Sequence, residues 1–272
     1  MKSIKTLIAI LVVVIVVLIL NVFLYITSTL ERPVFLNHYY EKEISDNSIF
    51  KFYYITNKSD ENIVTHITFP EIIGMDIRCV VKDTKAHGVY GHYKLNVVSM
   101  GFEENESAYI PETKVTTAKV FFSDGRIIPT NIGKIVLSKE MEQEIPFLTL
   151  STTSSSNHSS SVTYKALEKM LLSEVKSDLD FEVEDHLYIN MDKSNEVSLP
   201  YTISKGDSIT FESNFKVSEE DMEKYNAYSI VKKFYFETPD GKQYIHSLYH
   251  LDYKPEFNKK DIYSFLKMKG AI

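Results

Sequence analysis

Residues Leu7 to Ile26 read LIAILVVVIVVLILNVFLYI, twenty positions without a charge and with only Asn21 strongly polar. At ~1.5 Å of rise per residue such a helix is about 30 Å long, which is the hydrocarbon thickness of a bilayer. A cleaved secretory signal has a core of only ~7–15 apolar residues and a small-residue cleavage site. Here the run is longer, and Thr27-Ser28-Thr29 replaces that site poorly. A lipid-modified signal needs a cysteine at the end of the run, and the sole cysteine is Cys79. The expectation is a retained anchor over residues 6–29. Lys2 and Lys5 precede it without an acid, whereas Glu31 and Arg32 nearly cancel behind it. Positive flanks stay on the cytoplasmic side, so residues 1–5 are expected inside and everything after Leu30 outside.

The remaining chain is long enough for one large domain or two smaller ones. With 44% hydrophobic residues, 18 Tyr and 16 Phe, it can build cores and is not a disordered tail. The net charge is −7, and more acidic still without Lys2 and Lys5. That balance argues against nucleic acid as a partner. A single cysteine excludes an internal disulfide, which points to a bacterial envelope rather than an animal cell surface. The dominance of Lys over Arg, with plentiful Ile, Asn and Tyr, fits an AT-rich genome.

Beyond the anchor the signals are strand-like. Ile49 to Thr56 is β-branched and aromatic; after a polar turn, Ile63, Thr65, Ile67 and Phe69 alternate on one face. Short strands follow at Met75–Lys82, His92–Ser99, Val115–Phe122 and Ile132–Leu137, with an Asp124-Gly125 hairpin turn. Residues Ser151 to Thr163 form a Ser/Thr-rich stretch that reads as a linker. Leu167, Met170, Leu171 and Val175 then fall at helical spacing, so an amphipathic helix is expected over Tyr164–Lys176. Strands resume at Leu179–Val183, Val197–Ile203, Ser208–Val217, Ile230–Glu237 and Gln243–Leu251, and Asp240-Gly241 marks a second hairpin. Ser218 and Asp221 read as the cap of a short helix over Glu219–Tyr225. Pro200-Tyr201 and Gly206 to Phe211 resemble strand pairs of bacterial immunoglobulin-like domains, over under a dozen residues that identify no family. The expected fold is mainly β: the anchor, then one or two immunoglobulin-like β-sandwich modules. A first module would span 30–150, a linker and helix 151–176, and a second module 177–272.

Chemical motifs are sparse. An anchored ectodomain is the setting of penicillin-binding proteins, and S-x-x-K spacings recur, as at Ser48–Lys51, Ser173–Lys176, Ser213–Lys216 and Ser264–Lys267. With 27 serines and 27 lysines, about three arise by chance. Ser45-Asp46-Asn47 abuts Ser48 instead of lying far downstream, and no K-T-G exists. Cys79 lacks the context of a sortase nucleophile, and an apolar strand position would leave it inert. His246 and His250, four apart on a strand, are ~13 Å apart and too distant to share a metal. The tyrosines could stack on sugars, but there is no Trp, the preferred platform.

Asp178, Asp180, Glu182 and Glu184 alternate with apolar residues. On a strand this places four carboxylates on one face, either a weakly cation- or partner-binding surface or a solvated face that resists aggregation. They are the candidate partner-binding site. No catalytic residue, metal ligand or cofactor is expected. The leading reading is a non-catalytic binding or adaptor module held in the bilayer and serving an envelope or membrane protein. The alternative is an anchored hydrolase whose residues converge only in three dimensions.

Overall fold

The computed structural model describes residues 2–45, 48–72, 78–103, 110–139, 145–155, 158–192, 198–218 and 220–272. Helix α1 spans Lys2–Thr27, and its Ile10–Thr27 window, of mean hydropathy 3.1, is long and apolar enough to cross a membrane. The described apolar side chains from Ile8 to Ile26 stand exposed. The Asn21 amide donates to the Val17 carbonyl at 2.8 Å, so the one polar side chain is satisfied within the helix. The helix exit is held against the body. Asn57 accepts from the Leu30 N–H at 2.9 Å and donates back to its carbonyl at 2.7 Å, and the Tyr93 hydroxyl donates to the Ser28 carbonyl.

Everything else is mainly β, as the alternating pattern predicts. The first half comprises β1 (Val34–Phe35), β2 (His38–Ile44), β3 (Ile49–Asn57), β4 (Val64–Thr68), β5 (Arg78–Tyr90), β6 (Tyr93–Phe102), β7 (Thr113–Phe122) and β8 (Ile127–Lys139). Their order in the sheet is β1-β3-β6-β5-β4-β7-β8-β2. Because β1 and β2 belong to one segment, the sheet begins and ends on the same piece of chain and closes around its core. That core is rich in Phe50, Phe52, Tyr54, Leu95, Val98, Phe102, Val120 and Ile135. Closure needs Gly133, at φ +93°. A Cβ there would lie 2.5 Å from the His38 carbonyl oxygen, its neighbour across the β2–β8 pair.

The second half holds β9 (Phe147–Ser154), β10 (Ser159–Ala166), β11 (Met170–Lys176), α2 (Asp180–Val183), β12 (Leu187–Met191), β13 (Tyr201–Ile203), β14 (Ser208–Phe215), β15 (Ala227–Glu237) and β16 (Gln243–Tyr253). A four-stranded sheet, β12-β14-β10-β9, encloses a second core with the β15, β16 and β11 part of the large sheet. The large sheet runs on across the junction, because β2 pairs in parallel with both β8 and β15.

Several expected elements take another form. The described residues of the Ser/Thr stretch Ser151–Thr163 are not a linker: Ser151–Ser154 end β9 and Ser159–Thr163 begin β10, which pairs with it antiparallel. Its hydroxyls find partners across strands, Ser160 with Ser213 at 2.7 Å and Thr163 with Thr210 at 3.0 Å. The helix expected over Tyr164–Lys176 is instead the end of β10 and all of β11. Burial alternates through Val162, Tyr164 and Ala166, then Met170 and Leu172, with Leu167 exposed in the break. The helical spacing there was fortuitous. In β4 a bulge between Val64 and His66 shifts the face, burying Val64, Ile67 and Phe69 and leaving Ile63 exposed. Met75–Ile77 and Val197 lie outside the described residues. The short helix after Ser218 is a 3-10 turn, Met222–Tyr225, capped by Asp221.

One helix had no counterpart in the expectations. Helix α3 (Lys259–Met268) starts with a reciprocal Asn258–Asp261 capping box and inserts Ile262, Phe265 and Leu266 into the first core. The C-terminal segment therefore packs with the first half, as do Tyr225, Ala227 and Phe257.

Candidate functional site

The four carboxylates of the expected acidic face do not share a strand. Asp178 and Leu179 lie in the turn after β11, and Asp180 to Val183 form the single turn of α2. The alternation fails because Leu179 and Val183 are buried on a helical spacing, whereas Phe181 is fully out in solvent. Three of the four acids meet lysines from other elements. Asp178 pairs with Lys233 at 3.2 Å, Asp180 with Lys232, and Glu182 with Lys134 at 2.6 Å. Glu184 is exposed. The structure thus gathers most of this charge into ion pairs between elements.

A cleft arises where the sheet closes. Segment Val34 to Ile44 starts paired to β3 through β1 and then diverges, because β2 pairs with β8 and β15 instead. Two side chains bridge the divergence. His38 Nε2 accepts from the Tyr53 N–H at 2.9 Å and the Tyr40 hydroxyl donates to the Lys51 carbonyl at 2.6 Å. Since Nε2 accepts, Nδ1 carries the proton and faces the Ile132 carbonyl at 3.3 Å. Burial holds this imidazole neutral, with its pKa lowered to about 3. Beyond the bridges the strands part around a cavity of about 460 Å³. It is lined by Tyr40, Lys42, Lys51, Tyr53, Ser229, Asp252, Tyr253 and Lys254 with their neighbours.

Its polar floor is a relay. Lys42 Nζ donates to Ser229 Oγ at 2.8 Å, and Ser229 Oγ donates to Asp252 Oδ1 at 2.6 Å. Burial lowers the pKa of Lys42, with Asp252 opposing and Lys51 adding to the effect. The neighbouring Glu41 also borders the cavity and reaches the junction of the two halves. Its carboxylate accepts from the Ser177 hydroxyl, the Asp178 N–H and, at 2.7 Å, the Val231 N–H. The β15–β16 register shifts between Ile230 and Lys232, where two residues of β16 stand opposite Val231, and the Val231 N–H turns to Glu41. Burial raises the pKa of Glu41 against the lowering effect of these donors.

None of these residues stands out in the sequence. Lys42 and Ser229 are 187 positions apart. Ser229 does begin an S-x-x-K with Lys232, yet Lys232 turns to Asp180, and the lysine that reaches the hydroxyl comes from β2. The faint local signal is His38-Tyr-Tyr-Glu-Lys, ionisable groups inside an aromatic strand. Of the other sequence candidates, Cys79 is buried in the first core. His246 packs among Phe147 and Tyr164, with both ring nitrogens buried and unpartnered and its pKa lowered to about 4 by burial. The side chain of His250 lies outside the described residues.

No family model matches the chain, and no curated protein matches it. Among solved structures, a protein of unknown function from Porphyromonas gingivalis W83 overlaps 80% of this chain and 99% of its own, at 11% identity and TM-score 0.23. The D00-D0 domain of Intimin overlaps 80% and 97%, at 8% identity and TM-score 0.20. The fibronectin(III)-like modules of Clostridium thermocellum CbhA overlap 80% and 90%, at 11% identity and TM-score 0.18. At these scores the overlaps carry no argument about the site.

Proposed function

We propose that the chain is a single-pass, membrane-anchored extracytoplasmic binding module of a bacterial cell envelope, with the cleft beside β2 as its ligand site. The observation that carries this reading is the cleft. It combines tyrosine faces with three lysines at a place where strands part, which is the usual make-up of a small-ligand pocket. Glu41, Glu43 and Asp252 line it as well, so its charge is mixed, and the tyrosine faces favour a polar ligand with a flat or apolar body. The ligand would be part of an envelope or membrane protein. The paired state of Asp178, Asp180 and Glu182 makes α2 the weaker choice for a contact surface. The positive-flank rule places the N-terminus inside and the β-body outside.

A photocrosslinker replacing Lys51 on the rim, in intact cells, should capture a discrete partner, and the Lys42→Ala background should reduce the yield several-fold. The same probe at Lys205, in an exposed turn of the second half, should not. Equal capture at both positions would overturn the cleft as the ligand site. Protease added to protoplasts should digest the β-body and leave an anchor-sized fragment; a protected body would reverse the topology.

A second reading, an anchored hydrolase, draws on the Lys42–Ser229 contact, since a lysine of lowered pKa can activate a serine. Ser229 lies in mid-strand, in register with Tyr40 and Asp252, so its backbone is committed to the ladder and is poorly placed for an oxyanion hole. Labelling by a fluorophosphonate that disappears in Ser229→Ala would favour the enzyme over the binding module.

A further inference from the structure

Beyond the cleft lining, three side chains from two turns converge. His186 comes from the turn after α2, and Asp221 and Glu223 come from the 3-10 turn that leads into β15. One ligand atom from each lies within 4.8 Å of the others, and all three residues are half-buried. Ligands around a four-coordinate zinc at ~2.1 Å are separated by about 3.4 Å, so inward side-chain shifts of up to about 0.8 Å each complete the set. The cluster brings two carboxylates and an imidazole together, and Asp221 Oδ1 also accepts from the Glu223 N–H at 3.3 Å as the cap of the turn. Beside them is a cavity of about 210 Å³, lined by His186 and Glu223 together with Tyr39, Glu182, Asn226 and Tyr228. Glu182 contributes a second, separate observation. Its Oε1 meets Lys134, but Oε2 is buried and accepts no hydrogen bond. A buried carboxylate oxygen without a donor is costly, and a metal-bound water in the cavity would supply one.

We propose that His186, Asp221 and Glu223 form a zinc site with an open fourth position facing this cavity. The donor chemistry selects the ion. Imidazole suits a borderline transition metal, whereas calcium and magnesium prefer an all-oxygen shell. Three protein ligands with space for a water is the pattern of an accessible site rather than a closed structural one. The ion would tie the α2 turn of the second half to the segment that carries Tyr225 and Ala227 into the first core. This assignment is independent of the cleft and of its ligand.

The test is titration of the full-length protein in detergent micelles with zinc chloride, by calorimetry, after removal of metals with a chelator. One ion per chain is expected, with His186→Ala and Glu223→Gln each weakening binding at least tenfold and their combination abolishing it. Asp178→Asn, an acid in the neighbouring turn, should bind as the parent does. Cobalt in place of zinc should give visible absorption bands of a four- or five-coordinate nitrogen–oxygen site, a readout on the unaltered chain that stands even if a variant fails to fold. The site would be overturned by the absence of such bands, by zinc binding that survives the double substitution, or by magnesium and calcium binding as tightly as zinc.

Discussion

In the first half, the strands that begin and end the sheet meet on one segment, Val34 to Ile44. In the second half, β9 stays at an edge, and every residue from Leu148 to Ser154 is exposed. The first arrangement removes an edge and pins the chain from both sides. The second leaves a strand that touches its core through Phe147 alone, with hydroxyls where many edges carry charge. The same kind of sheet is therefore a closed scaffold at one end and an open face at the other. The cleft lies where the closed half meets the junction, so closure and site share a cause. Substitutions that strike the closure should cost far more than those that strike the open edge.

Gly133→Ala should have the largest effect. The positive φ and the contact with the His38 backbone act together, so a loss of about 3 kcal/mol or more is expected. Gly125→Ala is the control. Its φ is +85°, but open space surrounds it, so only the conformational cost of about 1 kcal/mol remains. Chemical denaturation of the two variants would measure both, and equal losses would mean that the close approach of β2 to β8 does not matter.

Glu41→Ala comes next and probes the junction rather than the closure. It strands the Ser177 hydroxyl and the Asp178 and Val231 N–H groups, with a loss of about 3 kcal/mol expected from unsatisfied donors. If Glu41 couples the halves, unfolding should separate into two transitions in the variant. A single, merely shifted transition would show that the continuous sheet couples them without it.

Acid should weaken both halves through one residue each. His38 and His246 have folded pKa values of about 3 and about 4, below the value of 6.5 expected when unfolded. The unfolded chain therefore binds more protons between those limits. The contribution of these two histidines is full above about pH 6.5 and is lost as the pH drops through the window. For His38 the loss reaches about 2 kcal/mol by pH 5. His246→Phe should flatten part of this dependence, since it replaces a ring without partners among Phe147 and Tyr164. An unchanged pH profile in that variant would remove His246 from the account.

The long apolar helix α1 and most strands could be read from the chain, because apolar length and alternation are local properties. Both Asp-Gly hairpin turns form for the same reason, with Gly125 and Gly241 at positive φ. The helix expected over Tyr164–Lys176 failed because a short apolar run satisfies both periods, and only the facing sheet decides between them. Helix α3 was missed although Asn258, Asp261, Ile262, Phe265 and Leu266 carry a capping box and a helical stripe. The cleft was out of reach. Lys42 meets Ser229 and Asp252 only because β2 bridges two halves of the chain, a long-range pairing that no local pattern encodes.

The smallest expected effect tests the open edge. Leu148 and Leu150 are exposed on β9 and so is Thr149 between them, so neither face of the strand is covered. Replacing either with lysine removes no core contact and introduces no buried charge, so stability should change by less than about 0.5 kcal/mol. What should change is association. A lysine on an uncharged edge discourages pairing with another strand, so concentrated protein should stay monomeric in its micelle to higher concentration in light-scattering measurements. A loss of more than 1 kcal/mol would mean that β9 is held against a surface. The contrast between a closed half and an open half would then fail at its open end.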